Sequence, residues 1–346
     1  MKKIISFIFI LLVLIAVIAA YLTFGTATAF DEKFKSFVVE DGKTDKASVL
    51  QTLEQQHIID NTLVFGLLAD RLDVWNRLKP GKFQLKNGDN LFTLAKILRN
   101  NRQAEVKLII NKLRTKEDFA RLIAKNFATD SITAINYFNN NDSLKQYGVT
   151  DKTLFTIVLP NTYSFYYFTP LGKVLSKIKN TSDVFWDAKD RQIKATALGL
   201  SKVEVYTLAS IVEEETNKED DKGNIASVYL NRYNKGMKLG ADPTVRFAMN
   251  DFTIKRVYEK YLLIESPYNT YRNIGLPPGP ICTPSESTID AVLNAPKTDY
   301  LFFVANADLK GGSHFSSNYA EHLQYAKAYQ QALTIYLEKK QAQKDE

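Results

Sequence analysis

"LASIVEEETNKEDDKGNIASVYLNR", Leu208 to Arg232, places three consecutive glutamates at the end of one helical period and opens a second such period after a polar break. Upstream, Ser201 and Glu204 stand at capping-box spacing, so a helix should start there. Val205, Leu208, Ala209 and Val212 recur as its apolar stripe, with Ile211 alongside. Stepping about 100° per residue, Glu215 falls about 45° from the centre of the stripe, while Glu213 and Glu214 lie more than about 110° away. The expectation is that Glu215 points inward and its two neighbours point outward. A carboxyl in apolar surroundings has its charged form disfavoured, so its pKa rises and it can hold a proton near neutral pH. A general acid needs that property to protonate a leaving-group oxygen. The competing reading is structural: a buried Glu215 paired with Arg232 or Lys218.

Downstream, "NRYNKGMKLGADPTVRFAMND" runs a helix into Gly236 and restarts at Asp242 as cap, with Pro243 in the first turn. "SPYNTYRNIGLPPGPICTPSE" is the longest apparent loop, rich in Tyr, Asn, Pro and Gly, and Thr283 with Glu286 should cap the next helix. "YLFFVANADLKGGSHFSS" reads as a hairpin with His314 at its return, leading into a long amphipathic helix from about Asn318. Rigid polar and aromatic loops beside an inward carboxyl suit a sugar cleft.

The chain opens with Lys2 and Lys3 before an unbroken apolar run from Ile4 to Phe24. That run is about the 20 residues needed to cross a bilayer, longer than the roughly 7–15 of a signal-peptide core. A retained single-pass anchor over 1–26 is expected, with the lysines in the cytoplasm and the rest exported. Ala27-Thr28-Ala29 would otherwise read as a cleavage site. The 346 residues suffice for two or three units, and 45% hydrophobic with 24% charged residues is a globular composition. The formal charge of +7 suits anionic lipid or an anionic polymer, though only weakly. The single cysteine, Cys282, rules out an intrachain disulfide.

From Phe37 to about Lys125 one pattern occurs three times: a short apolar run, a polar turn, then an amphipathic helix. The runs are "FVVEDG", "GKFQLKNGD" and "EVKLIINKL", and Thr115 with Asp118 approximates a capping box before the third helix. The middle copy, "FQLKNGDNLFTLAKIL", resembles a LysM module, a fold that holds N-acetylglucosamine-containing glycans. A generic strand-turn-helix with Asp89 as helix cap remains the alternative. Residues from about 127 to 200 read as mostly helical and aromatic-rich. The expected fold is α+β: an anchor at 1–26, a LysM-like α+β subdomain at 34–126, and a mainly helical catalytic domain with a short β-hairpin at 127–346.

Taken together, the chain resembles the YceG-like family of endolytic murein transglycosylases, most strongly from Leu208 to His322. The family's catalytic segment is matched by "ASIVEEET", which makes Glu215 the catalytic glutamate by resemblance as well as by helical face. "ASVYLNR", "DPTV", "YNTY", "GLPPGPI" with Pro284, and "HF" at His314 match further blocks in the same order. One departure is "LPNTY", where Asn161 stands in place of a common aspartate. The resemblance implies cleavage of the β-1,4 bond between N-acetylmuramic acid and N-acetylglucosamine within a strand, leaving a 1,6-anhydro end and terminating strand elongation. The muramoyl 6-hydroxyl supplies the nucleophile, so no second carboxylate is required, unlike the paired acids of hydrolytic glycosidases. Asn231, Tyr268, Asn269 and Tyr271 are candidate sugar contacts or orienters of Glu215, as are Asp242 and Thr244. It also implies a location on the exported side of the inner (cytoplasmic) membrane, glycan strands as substrate, and peptidoglycan synthases as candidate neighbours.

Two rivals remain open: a wall-binding scaffold whose LysM-like unit carries the function, and a muramidase using a second carboxylate such as Asp242. A serine or cysteine peptidase fits poorly, since there is no G-x-S-x-G elbow and Cys282 has no clear histidine partner. The three histidines, His57, His314 and His322, lack metal-ligand spacing, so neither a metal nor another cofactor is expected. With the anchor in place, topology excludes nucleic acid.

Overall fold

The computed structural model describes residues 2–254 and 256–345. In chain order the elements are α1 (Lys2–Phe24), β1 (Phe34–Val39), α2 (Lys46–Gln55), α3 (Thr62–Arg71), β2 (Gly81–Lys86), α4 (Leu91–Arg99) and β3 (Val106–Ile110). There follow α5 (Lys116–Asn126), α6 (Ser131–Asn139), α7 (Asn141–Lys145), β4 (Asn161–Phe165), α8 (Leu171–Asp187), α9 (Arg191–Ala197), α10 (Lys202–Glu215) and α11 (Glu219–Asn234). Last come α12 (Asp242–Ala248), α13 (Glu286–Leu293), β5 (Phe302–Ala305), β6 (Ser313–Ser316) and α14 (Tyr319–Asp345). The α1 span from Lys3 to Phe24 is long and apolar enough to cross a membrane, and its side chains are exposed.

The chain divides into two compact units. One comprises the chain up to Leu108 with Ala124–Thr129 and Ser164–Pro170; the other comprises Ile109–Ile123, Asp130–Tyr163 and the chain from Leu171 on. In the first, β1 and β2 pair antiparallel with Phe37 opposite Phe83. Alternation turns Phe37, Val39, Phe83 and Leu85 to one face, where Val49 and Leu53 of α2 and Leu94, Ala95 and Leu98 of α4 close the core. Each fully buried side chain of this kind contributes about 1.5–3 kcal/mol. Gly88 adopts φ +88° in the turn after β2, which glycine adopts without strain. Asp89 does not cap α4: its carboxylate accepts from Lys86 N at 2.9 Å, while Asn90 accepts from Thr93 N at 2.8 Å as the cap. The turn needs an acceptor of its own, so the cap passes to the next residue.

In the second unit α10 packs against α11, α12 and α13, and α13 also packs against α11. Of three capping expectations here, one holds and two change. Gly236 ends α11 as expected, at φ +67°. Asp242, however, is the first residue of α12 and Ala241 occupies the cap. Ser285 caps α13 by accepting from Thr288 N at 3.3 Å, whereas Thr283 is buried and accepts from Leu113 N at 2.9 Å. The β5–β6 hairpin forms with Val304 opposite His314, and α14 follows it. Tyr319, Leu323, Ile335, Tyr336 and Leu337 are all exposed on α14, so it presents no single buried face along its length.

Candidate active site

Ser201 and Glu204 start α10 with a reciprocal capping box: Ser201 Oγ accepts from Glu204 N, and Ser201 N donates to Glu204 Oε2 at 2.8 Å. Every residue from Val205 to Val212 is buried, including Thr207 and Ser210 off the apolar stripe. Ser210 lies 3.0 Å from Ile281 N, which donates to its hydroxyl, so the proline-rich loop is pinned along the helix. A helix enclosed on all sides has no solvent face at its end. Glu213 and Glu214 are therefore not turned outward, as the single-stripe pattern predicted; their side chains are only 13% and 11% exposed.

Both act as struts. Glu213 accepts from Ser285 Oγ at 3.0 Å, from Thr288 Oγ1, and from the buried Lys222 at 3.4 Å. Burial pushes its pKa up, but the Thr288 hydrogen bond, Lys222, Ser285 and Lys112 together hold it below the usual carboxylate range. Glu214 is clamped by the Arg114 guanidinium through two bonds of 3.1 and 3.0 Å, with Lys112 at 3.4 Å.

Glu215 differs from both. Its Oε1 accepts from Tyr229 Oη at 2.5 Å, and no ion pair to it is found among the described residues. Of the two expected structural partners, Arg232 and Lys218, neither forms an ion pair with it among the described residues, and Arg232 instead donates to the carbonyls of Leu301 and Leu239. Burial raises the Glu215 pKa to about 7; the Asp242 charge adds to the rise, while the Tyr229 bond, Arg246 and Arg232 oppose it. Burial and the adjacent carboxyl push the Tyr229 phenol well above its ordinary value, so it stays a donor. A carboxyl poised near neutrality, with one oxygen held by a phenol, can give a proton and then take one back.

The other candidate residues separate by what their side chains touch. Asp242 Oδ1 accepts from Tyr271 Oη at 2.6 Å, and the charges of this pair and of Glu215 act on one another. Asn269 is fully buried and donates to the carbonyls of Leu262 and Ile264, both at 2.9 Å, while its Oδ1 accepts from Tyr271 N at 3.0 Å. Thr244 is buried against Thr270 at 2.9 Å and donates to Ala241 O. Asn231 donates to Thr298 O at 3.0 Å and Tyr300 O at 2.9 Å. The hydrogen-bonding groups of these three hold loops together. Tyr268 packs on Phe247, ring centroids 4.7 Å apart, and lines a separate cavity of about 420 Å³. His314 stacks on Tyr325 at 4.3 Å, and Asn161 is exposed on β4.

Tyr229 and Arg246 are the members that sequence reasoning passed over. Tyr229 stands in the matched block "ASVYLNR", two residues before Asn231, and the short break between α10 and α11 was the signal that could have paired it with Glu215. Among the described residues no group of three or more His, Cys, Asp or Glu stands together for a metal ion.

The model of the YceG-like family matches residues 37–328. A Bacillus subtilis protein named endolytic murein transglycosylase is 33% identical over 236 residues, 68% of this chain and 61% of that protein. A Streptococcus pneumoniae protein of the same name is 31% identical over 169 residues, 48% of this chain and 30% of that protein. The matches thus span less than two thirds of these relatives' lengths. The crystal structure of a YceG-like protein from Listeria monocytogenes superposes with a TM-score of 0.57 at 25% identity, covering 85% of this chain and 99% of that one.

Proposed function

The chain belongs to the YceG-like family, and from that premise we propose that it is an endo-acting lytic transglycosylase of peptidoglycan, held at a membrane by α1. The observation that carries this reading is the Glu215 carboxyl, raised to about 7 and bound through Oε1 by Tyr229. The relatives named endolytic murein transglycosylase support the substrate.

In the reaction, protonated Glu215 gives its proton to the oxygen joining N-acetylmuramic acid to N-acetylglucosamine, and the C1–O bond breaks. The resulting carboxylate accepts the proton of the muramoyl 6-hydroxyl as that oxygen bonds to C1. The product carries a 1,6-anhydro end, no water is consumed, and Glu215 returns to its starting state. Tyr229 holds Oε1 throughout and leaves Oε2 for the proton transfers. Asp242, bound to Tyr271, raises the proton affinity of Glu215 and adds negative potential where positive charge develops at C1.

α1 anchors the chain in the cytoplasmic membrane, with the units after it on the exported side, where nascent strands are trimmed near their synthases. The strand-turn-helix at Gly81–Arg99, within the subdomain at 34–126, is the LysM-like part and contacts glycan, while 127–346 carries the catalysis.

Mass spectrometry of products from purified glycan strands, with the Glu215→Gln variant alongside, tests the reading. Anhydro-ended fragments that disappear in the variant are expected. Reducing-end fragments would mean a muramidase, and fragments from neither protein would mean a scaffold.

A further inference from the structure

The cavity of about 420 Å³ beside Tyr268 lies within the size range of ligand pockets, roughly 300–1,000 Å³. Arg114 lines both this cavity and a narrow cleft formed with Glu214, Pro243 and Arg246. Glu214 and Pro243, which line the cleft, are the chain neighbours of Glu215 and Asp242, and cavity, cleft and Glu215 all belong to the same unit.

Part of its lining is apolar: Leu154, Phe155 and Pro280, with Phe247 and Tyr268 packed as one aromatic surface. The proline-rich loop fixes one edge. A Cβ on Gly279 would stand 2.1 Å from Lys152 O, so only glycine lets the loop press against that backbone.

The charges of the lining are unevenly committed. The Arg114 guanidinium is spent on Glu214, and Lys116 stands 3.8 Å from Asp151 while donating to Asn139. Among the described residues, no hydrogen bond or ion pair engages Lys152 Nζ, the Tyr268 hydroxyl or the Asn250 side-chain amide. Lys152 is therefore an uncommitted cation of a lining that also carries two neutral polar groups and the Glu117 carboxylate, which likewise has no hydrogen bond or ion pair among the described residues.

The sugar rings of a peptidoglycan strand are uncharged. Its carboxylates and small apolar side chains lie on the short peptides borne by the muramoyl units. We propose that this cavity receives the acidic stem peptide of a muramoyl unit, Lys152 pairing with a peptide carboxylate and the Phe247–Tyr268 wall taking the alkyl groups. This rests on the reading of the chain as a peptidoglycan transglycosylase, and it makes the peptide branch a determinant of where strands are cut.

The test uses the full chain in detergent on two strand preparations, one with peptides intact and one stripped of them by an amidase. The wild type is expected to show a KM about tenfold lower for peptide-bearing strands, and Lys152→Glu to erase that difference. Tyr268→Phe, which keeps the aromatic wall, is expected to lose part of it. Calorimetry of a muramoyl tripeptide on the Glu215→Gln chain, with and without Lys152→Glu, reads binding without cleavage; loss of binding in the double variant is expected. Equal KM for the two preparations, or a preference and a binding signal untouched by Lys152→Glu, would overturn the proposal while leaving the transglycosylase reading intact. Stripped strands competing as well as intact ones would overturn it in favour of a sugar subsite. If the wild type cuts neither preparation, the reading of Glu215 fails and the calorimetry alone decides the cavity.

Discussion

Tyr229 Oη and Glu215 Oε1 stand 2.5 Å apart, linking the C-terminal residue of α10 to the middle of α11. The bond selects one of three consecutive glutamates. Glu213 and Glu214 are each held by cations, whereas Glu215 meets a neutral donor in a buried setting. A cation would have held the carboxylate charged; a phenol leaves it near its protonation midpoint.

Removing the phenol while keeping the ring therefore has a signed consequence. Tyr229→Phe takes away a bond that favours the charged carboxyl, so the Glu215 pKa rises further. The pH optimum of strand cleavage should move upward, and the rate at pH 7 should fall about tenfold, the order expected for a hydrogen bond to a charged group. A pH–rate profile that keeps its midpoint would show that Tyr229 only packs.

Asp242→Asn works in the opposite direction. The amide oxygen still accepts from Tyr271, but the charge that raises the Glu215 pKa is gone. The pH optimum should fall, and the products should remain anhydro-ended. A switch to complete inactivity with intact folding would identify Asp242 as a second acid and favour a hydrolase.

Glu215 also ties stability to pH. Its folded pKa of about 7 lies above the ordinary 4.5, so the folded state holds the proton more tightly than the unfolded chain. Stability is then full below about 4.5, declines as pH rises towards 7, and levels off above that. Glu215→Gln keeps an acceptor for Tyr229 and removes the decline, so the variant should gain on the order of 2–3 kcal/mol over wild type at pH 8 and almost nothing at pH 4. Urea unfolding at the two pH values measures this directly, and equal differences at both would contradict it.

Asn269 should behave as a structural residue. Its amide binds two carbonyls and its oxygen holds the Tyr271 amide, all in a fully buried position. Asn269→Ala should cost about 2–3 kcal/mol by leaving these groups without partners. Circular dichroism melts should show the lower midpoint. An unchanged melt with a raised KM would restore it as a sugar contact.

Arg114→Ala breaks the two-bond clamp on Glu214, whose side chain is 11% exposed. Because Arg114 itself is 38% exposed and Lys112 remains nearby, the loss should be about 1–2 kcal/mol, below that of a fully buried pair. The double variant with Glu214→Gln should recover most of it, which a thermal melt of the three proteins would report.

Local pattern determined much of this protein from its residues alone: the apolar run that becomes α1, the Ser201–Glu204 box that starts α10, the Gly236 stop, and the strand-turn-helix copies around Phe83 and Leu94. These are set by contacts within a few residues, where spacing and side-chain chemistry suffice. The inward turn of Glu215 was legible for the same reason. The tertiary structure decided the rest. A single-stripe pattern assumes one wet face, and α10 has none because α11, α12, α13 and the chain at Lys112–Arg114 surround its end. The matched blocks named Asn231, Thr244 and Asn269 as polar positions, but only the packed loops show that backbone groups already occupy them. Whether a polar side chain serves the fold or a ligand depends on which groups lie within about 3 Å of it, and those neighbours come from distant parts of the chain.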